Sequence, residues 1–278
     1  MEKANYPVTV LCRVMQVSRS GFYDWCGRDK GADPDRQHLL ERVRAIHRRT
    51  RGSYGSRRMA RELRREGHPV GRHQARGLMR EAGVECRQRR RWRATTDSNH
   101  GCPVAPNRLE RRFDVAEPDR VWVVDLTALW TFEGWLYLAA VLDLHDRQVV
   151  GWAMAGHMRT ELALEALAMA VGRRRPRRGL IHHSDRGSQY AARAYRDELD
   201  RQGMIASMSR KGDCWDNAVM ERFFGSLKSE WTADQRYLTR GQARRDVIDY
   251  IEMHYNSERL HSALGYVPPR EHELAAAA

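Results

Sequence analysis

The sequence predicts a mixed α/β domain, a five-stranded sheet with helices, preceded by an all-α helix-turn-helix region. Three observations carry this. Net positive charge is confined to the first part: residues 1–115 hold 27 Lys and Arg against 13 Asp and Glu, whereas residues 116–278 hold 22 against 23. Hydrophobic residues recur at helical spacing before residue 85 and fall into strand-like runs after residue 120. Those runs alternate with helical stretches in a fixed order, three strands, helix, strand, helix, strand, helix.

Composition bounds the problem. The 278 residues are 41% hydrophobic and 31% charged, with a net charge of +13 and a pI near 10.0, which suits a globular chain with a polyanionic partner. No apolar run is long enough to span a bilayer, and the first residues lack the pattern of a secretion signal. The five cysteines are odd in number with no close pairs, which argues against a disulfide framework and a cysteine-rich zinc site. A reducing cytoplasm is the expected compartment.

Residues 1–34 read as a short helical segment, with one helix over 7–15 and a second begun by Ser18 as N-cap. Residues 35–85 read as a helix-turn-helix unit. Leu39, Leu40, Val43 and Ile46 share one face. Met59, Ala60 and Leu63 form the buried stripe of a second helix closed by Gly67, and Ala75, Leu78 and Met79 that of a third after the turn His68-Pro69-Val70-Gly71. Arginines, among them Arg57, Arg58, Arg72 and Arg76, fall on the outer faces, where they would meet DNA. The plainer alternative is a solvated arginine-rich helical pair. Residues 86–117 read as a basic linker that could follow phosphates through Arg87, Arg89, Arg90, Arg91 and Arg93; a solvated tail is the alternative.

Residues 118–278 read as the α/β domain with a helical extension. VWVVDLTALW, GWLYLAAVLDL and QVVGWAMA form a three-strand meander with a turn at Glu133-Gly134. A helix over 161–171, the strand GLIHHSD, a helix over 190–202, the strand MIASMS and a helix over 217–231 complete the order of a ribonuclease H-like fold. A further helix is expected over 239–255. Trp122, Trp135 and Trp152 read as core, while Trp215, in a loop, could stack on an unpaired base.

Acids in this domain stand out. Asp125 interrupts an apolar strand, where a carboxylate is costly without a partner or a metal. Asp185 ends the strand GLIHHSD, at the sheet edge where α/β folds present ligands. Glu221 lies on the helix after the last strand, with 35 residues between it and Asp185. Carboxylates are what hard divalent cations require, and a pair of such ions about 4 Å apart can drive phosphoryl transfer. Asp143, also in an apolar strand, is a rival ligand on these grounds. His182 and His183 read as a strand-end pair near DNA, neither a ligand, because no Cys or His stands at zinc spacing.

The phrases WVVDLTAL, GWLYLAAVLDLHDRQVVGWAM, HHSDRGSQY, SMSRKGDCWDNAVMERFFGSLKSE and HYNSERLHSALGYVPP resemble the catalytic subunit of insertion sequence 3 family transposases, within the retroviral-integrase superfamily. LCRVMQVSRSGFYDW and YGSRRMARELRREG resemble that family's helix-turn-helix region. The resemblance implies a DDE transposase that cleaves and joins DNA with two Mg²⁺ ions, Mn²⁺ being the alternative ion. Asp125, Asp185 and Glu221 match its metal-binding acids, with Asp125 bridging the ions, and Asp143 is thereby left structural. Lys228 matches a basic residue seven positions after the glutamate; two helical turns, about 10 Å, would put it on the face of Glu221. Asn217 shares that face, and with His183 is expected near DNA. Glu221 is expected somewhat withdrawn in the absence of metal and substrate.

The implied partners are the element's ends and target DNA, the upstream-frame protein of the same element or a frameshifted fusion with it, and further copies of the chain on DNA. A ribonuclease H-like nuclease without strand transfer and a repressor derived from an inactive transposase are the rival readings.

Overall fold

A computed structural model of the chain describes residues 6–27, 33–87, 104–210 and 214–277, with the side chains of Cys214, Trp215 and Ala277 left undescribed. Arg89, Arg90, Arg91, Arg93 and Lys211 lie outside the described residues, as does the Trp215 side chain.

Two short helices open the chain, α1 (Val8–Val14) and α2 (Arg19–Gly27). Ser18 caps α2 by accepting the Gly21 N–H at 3.0 Å. Three helices follow, α3 (Pro34–Arg49), α4 (Ser56–Arg65) and α5 (Arg72–Glu81). Gly67 turns the chain after α4 with a φ of +89°, a conformation glycine adopts without strain. Leu40, Val43, Ile46, Met59, Leu63, Ala75 and Leu78 close into one small core. Leu260, some 180 residues later, belongs to the same core.

The sheet contains β1 (Val121–Thr131), β2 (Gly134–Asp143), β3 (Val149–Ala155), β4 (Ile181–Ser184) and β5 (Ile205–Met208) in the order β3-β2-β1-β4-β5. The first three strands are antiparallel, and β4 and β5 join β1 in parallel. This is the mixed five-stranded sheet of a ribonuclease H-like core. Helix α6 (Thr160–Arg174) connects β3 to β4, and α7 (Ser188–Ala191) with α8 (Arg193–Gln202) connects β4 to β5.

Alternation along β1 sorts the two faces. Trp122 and Val124 point into a core with α6 and α8. Val121 and Val123 point to the opposite core, built with α9 (Ala218–Ser226) and α10 (Arg240–Ile248). Gly151 lets α6 lie directly on β3: a Cβ there would come within 2.3 Å of the Ala166 carbonyl.

Several expectations from sequence are corrected. The helix expected over 217–231 is a 3₁₀ turn at Cys214–Asn217, then α9, then a π-helix at Leu227–Thr232. The helix expected over 239–255 is α10 followed by a second π-helix at Asp249–Tyr255. The two π segments pack on each other, with the Trp231 ring stacked on His254 at 5.0 Å. The turn between β1 and β2 falls at Phe132 and Glu133, one residue earlier than expected. α11 (Pro269–Ala277) ends the described chain.

The segment read as a linker is packed at both described ends. Leu109 is buried in the sheet core. Arg87 pairs with Asp234 at 2.9 Å, a protein carboxylate where a phosphate was expected.

Candidate active site

Asp125 lies on β1, the central strand, with the parity of Val121 and Val123; its side chain therefore faces the α9 side of the sheet. The carboxylate accepts the Leu126 N–H at 2.8 Å. Asp185 is the residue after β4, and its Oδ1 accepts the Gly187 N–H at 2.9 Å. Parallel pairing of Val121 with Ile181 and Val123 with His183, continued two residues, sets Asp125 and Asp185 side by side at one level of the sheet.

Helix α9 brings the third acid. Met220, Phe223 and Phe224 bury its inner face, and Glu221 sits in its first turn, exposed. Asn217 fixes the start of that helix by donating from Nδ2 to the Val124 carbonyl at 3.1 Å, next to Asp125. Asp216, buried just before it, is gripped by the Asn107 amide and by the Arg111 and Arg210 guanidiniums. The Arg210 side chain, foremost, holds the Asp216 carboxyl below the usual carboxylate range against the effect of burial.

Electrostatics tie the acids together. Burial pushes the Asp125 carboxyl well above its ordinary range, and the neighbouring Asp185 pushes it further. Glu221 adds to the rise, while the Leu126 N–H and the Lys228 ammonium oppose it. Burial raises Glu221 too. It lowers Lys228, which Asp125 pulls back up. Lys228 thus lies on the acid side of the helix, although it sits on the second residue of the π segment, where a continuous α-helix was expected.

The three acids are not drawn into one cage. Among the described residues, no three His, Cys, Asp or Glu side chains stand close enough to hold an ion. Two aspartates share a level of the sheet, and the glutamate faces them from an exposed helical turn.

Other candidates sort clearly. Asp143 is fully buried at the end of β2, accepting the N–H groups of Asp119 at 2.6 Å and His145 at 2.7 Å. Burial, then Asp146, pushes its carboxyl up to about 8. It closes a turn and holds the chain entering β1. His183, expected near DNA, is instead fully buried, with Nδ1 on Ser207 Oγ at 2.9 Å and Nε2 on Ser209 Oγ at 3.2 Å. Both ring nitrogens are engaged inside the protein, and burial lowers its pKa to about 4. His182 is likewise enclosed, against the Tyr195 hydroxyl at 2.9 Å. Asn217, expected on the DNA face, is 5% exposed and serves the helix–strand junction.

On the helix-turn-helix unit, Arg57, Arg72 and Arg76 are exposed. Arg58 is not: its guanidinium turns inward to Glu230, at 3.4 Å. Glu230 in turn pairs with buried Arg259 at 2.7 Å. Arg51 stacks over the Trp231 ring at 3.6 Å and pairs with Asp246 at 2.9 Å. Tyr54 accepts the Leu260 N–H at 2.9 Å. The helical unit is therefore docked on the C-terminal part of the chain. Charge asymmetry gave no sign of this, because the docking residues are arginines of the kind that read as DNA contacts.

Comparison with known proteins agrees with this architecture. Models described as "Integrase core domain" match residues 115–214 and 202–269, and one described as "HTH-like domain" matches residues 34–92. Transposase InsF for insertion sequence IS3A of Escherichia coli (strain K12) is 39% identical over 274 residues, 98% of this chain and 95% of that protein. The chain belongs to the insertion sequence 3 family of transposases. An insertion element IS600 uncharacterized 31 kDa protein of Shigella sonnei is 45% identical over 275 residues, 96% of this chain and all of that protein. A more distant likeness is to the HTLV-2 integrase catalytic core domain in complex with magnesium, 13% identical over 55% of this chain and 95% of that one, TM-score 0.44. As a member of this transposase family the chain is a DDE polynucleotidyl transferase and binds DNA, and its integrase core implies a divalent metal. The repressor and simple-nuclease readings are not favoured. No helix among the described residues is long and apolar enough to cross a membrane.

One of the three tryptophans read as core was misread. Trp122 is fully buried, as expected, and Trp152 partly so. Trp135, expected in the core, is 46% exposed beside Trp130 at 58% and Phe132 at 68%. The available signal was an aromatic run flanking a hairpin turn, where polar residues are the rule.

Proposed function

We propose that this transposase cleaves the ends of its insertion sequence and joins the exposed 3′-hydroxyl to target DNA with Asp125, Asp185 and Glu221 as metal ligands. The observation that supports the assignment is geometric: the parallel register of β1 and β4 leads Asp125 and Asp185 to neighbouring positions, and the Asn217–Val124 hydrogen bond ties the helix that carries Glu221 to the same strand. The donor set fits Mg²⁺, or Mn²⁺ in its place, because it is all carboxylate oxygen. A carboxyl that burial and like charge drive toward protonation is one that a bound cation stabilises as the anion. Two bound ions would supply Lewis-acid activation of the attacking oxygen and charge relief on the leaving one.

The chain's own residues do the rest. β1 and β4 hold two carboxylates at a fixed separation. Asn217 anchors α9 and so sets the height of Glu221 above them. Lys228 brings a positive charge to the acids' border, where it can hold a backbone phosphate in line. The helix-turn-helix unit, residues 35–85, serves as the DNA reader through exposed Arg57, Arg72 and Arg76. Residues 118–278 form the catalytic unit, and Arg89, Arg90 and Arg91 add basic charge between them. The upstream-frame protein of the element, or a fusion with it, completes recognition of the ends, and several copies assemble on DNA in the bacterial cytoplasm at the nucleoid.

The test is strand cleavage and joining on the element's own ends in Mg²⁺. Asp125→Asn, Asp185→Asn and Glu221→Gln should each abolish both steps while DNA binding persists. Wild-type cleavage by any of the three removes that residue from the site.

A further inference from the structure

The β1–β2 hairpin carries a feature that the acids do not explain. Trp130, Phe132 and Trp135 crowd its tip, exposed. The Trp130 and Trp135 rings meet edge to face, with centroids 5.0 Å apart and planes at 76°. With Tyr237 they wall a groove of about 420 Å³ that Lys228 and Arg236 also line. That volume is within the range of about 300–1,000 Å³ typical of small-ligand sites.

The groove is held open by the fold. The Phe132 N–H donates to the Tyr237 carbonyl at 3.0 Å. The Arg240 N–H donates to the Glu133 carboxylate at 2.7 Å, and Arg240 Nε to the Trp135 carbonyl at 3.0 Å. These bonds fasten the hairpin tip to the segment that forms the opposite wall.

Two properties select the occupant. First, the lining contains two cations and no carboxylate, beside aromatic faces. The centre of a protein–protein interface is depleted of charge, whereas aromatic platforms beside cations are the chemistry of unpaired nucleic acid. Second, the groove shares one residue, Lys228, with the candidate active site. Lys228 also acts on Asp125. Trp130 lies five residues along β1 from Asp125, about 17 Å at the strand rise of about 3.4 Å per residue. The odd separation turns the Trp130 side chain to the opposite face of β1 from Asp125, so an unpaired strand leaving the acids would pass Lys228 and round the hairpin tip to reach the tryptophans.

We propose that the Trp130–Phe132–Trp135 groove is a stacking site for unpaired bases of the DNA strand engaged at the acids, with Lys228 and Arg236 holding its phosphates. The proposal rests on the assignment of Asp125, Asp185 and Glu221 as the cutting site.

The test is equilibrium binding of the full chain in EDTA, where no cutting occurs. The probes are a DNA duplex with a single-stranded thymidine overhang and the same duplex blunt-ended. Stacking contributes about 1–3 kcal/mol per base, so Trp130→Ala with Trp135→Ala should weaken overhang binding roughly 5- to 150-fold. Blunt-duplex affinity should hold, and Trp130→Phe with Trp135→Phe should keep most of the overhang affinity. An overhang carrying 2-aminopurine should be quenched by the wild type and not by the alanine variant. Equal loss on both probes, loss on neither, or a change in oligomeric state in place of an overhang defect would overturn the proposal; the last would mark a second copy as the occupant. Cleavage by Asp125→Asn in Mg²⁺ is measured in parallel as the test of the acid assignment. If that variant still cuts, the acid assignment fails, and the overhang result is read separately.

Discussion

Asp125 and Asp185 come from strands that run in the same direction, and the register that pairs Val121 with Ile181 carries both to the same level of the sheet. Neighbouring strands are about 4.8 Å apart, so the two carboxyl groups begin close before any side chain moves. Their separation is a property of the sheet's hydrogen bonds. The position of Glu221, by contrast, depends on how α9 packs and on the hydrogen bond from Asn217 to Val124.

Asp125→Asn keeps the shape of the side chain and removes its charge. Metal-derived charge stabilisation amounts to several kcal/mol, and each factor of ten in rate to about 1.4 kcal/mol, so cleavage should fall at least about a thousandfold. Blunt-duplex affinity should be nearly unchanged. Rates near wild type in Mg²⁺ would remove Asp125 from the centre.

Asn217→Ala removes the tie between α9 and β1 without touching a carboxylate. Cleavage should drop by about tenfold to a hundredfold, as for outer partners of metal ligands, with a higher Mg²⁺ requirement. A lowered rate with an unchanged Mg²⁺ midpoint would show that Asn217 does not position the acids.

Arg57, Arg72 and Arg76 should behave differently from Arg58. Every phosphate that a variant no longer neutralises shallows the slope of log affinity against log salt by about 0.9. Alanine at any of the three exposed positions should do this. Arg58→Ala should leave the slope alone and lower thermal stability, because its partner is Glu230. An unchanged slope in the combined Arg57, Arg72 and Arg76 variant would place the DNA surface elsewhere.

Glu230→Gln would leave Arg259 buried without its counter-charge. Breaking a buried pair in this way costs about 3–5 kcal/mol. Denaturant unfolding should register that loss, and α3, α4 and α5 should exchange amide hydrogens faster as their docking surface loosens. A change within error would mean that Arg259 finds another partner.

The buried histidines predict acid sensitivity. His183 is held to about 4 and His182 to about 3 by burial, while unfolded histidine titrates near 6.5. Below pH ~6.5 the unfolded chain takes up protons that the native chain refuses. The stability they contribute is therefore present above about 6.5 and lost as pH falls toward about 4, at about 1.4 kcal/mol per pH unit for each histidine. His183→Gln should flatten the fall in melting temperature by one proton's worth. An identical pH profile would show that His183 protonates freely in the native state.

Much of the site could be read from residues alone. Asp125 stood out because an acid in the run VWVVDLTALW needs compensation, and strand periodicity put it on a definite face. The order of strands and helices gave the ribonuclease H-like core, since each element has its own local period. The neighbours of each side chain did not follow. His183 and Asn217 carry polar chemistry in a motif region, but β5 encloses the first and β1 receives the second, and both partners are distant in the chain. The π-helices at Leu227–Thr232 and Asp249–Tyr255 were invisible because their sequences fit an ordinary helix; the stack of Trp231 on His254 accompanies their mutual packing.

The sequence by itself determined the fold class and the two-part charge, because each is written in local spacing or in residue type; residue type nominated Asp125, Asp185 and Glu221 but left Asp143 beside them, and the family resemblance made the choice. Tertiary structure decided which arginines face solvent and which brace the molecule. Arg57 and Arg58 are adjacent and chemically identical, yet one is exposed and the other meets Glu230. The rotation of about 100° per residue along α4 separates them, and only the docking of Leu260 and Glu230 against that helix sets which side is covered.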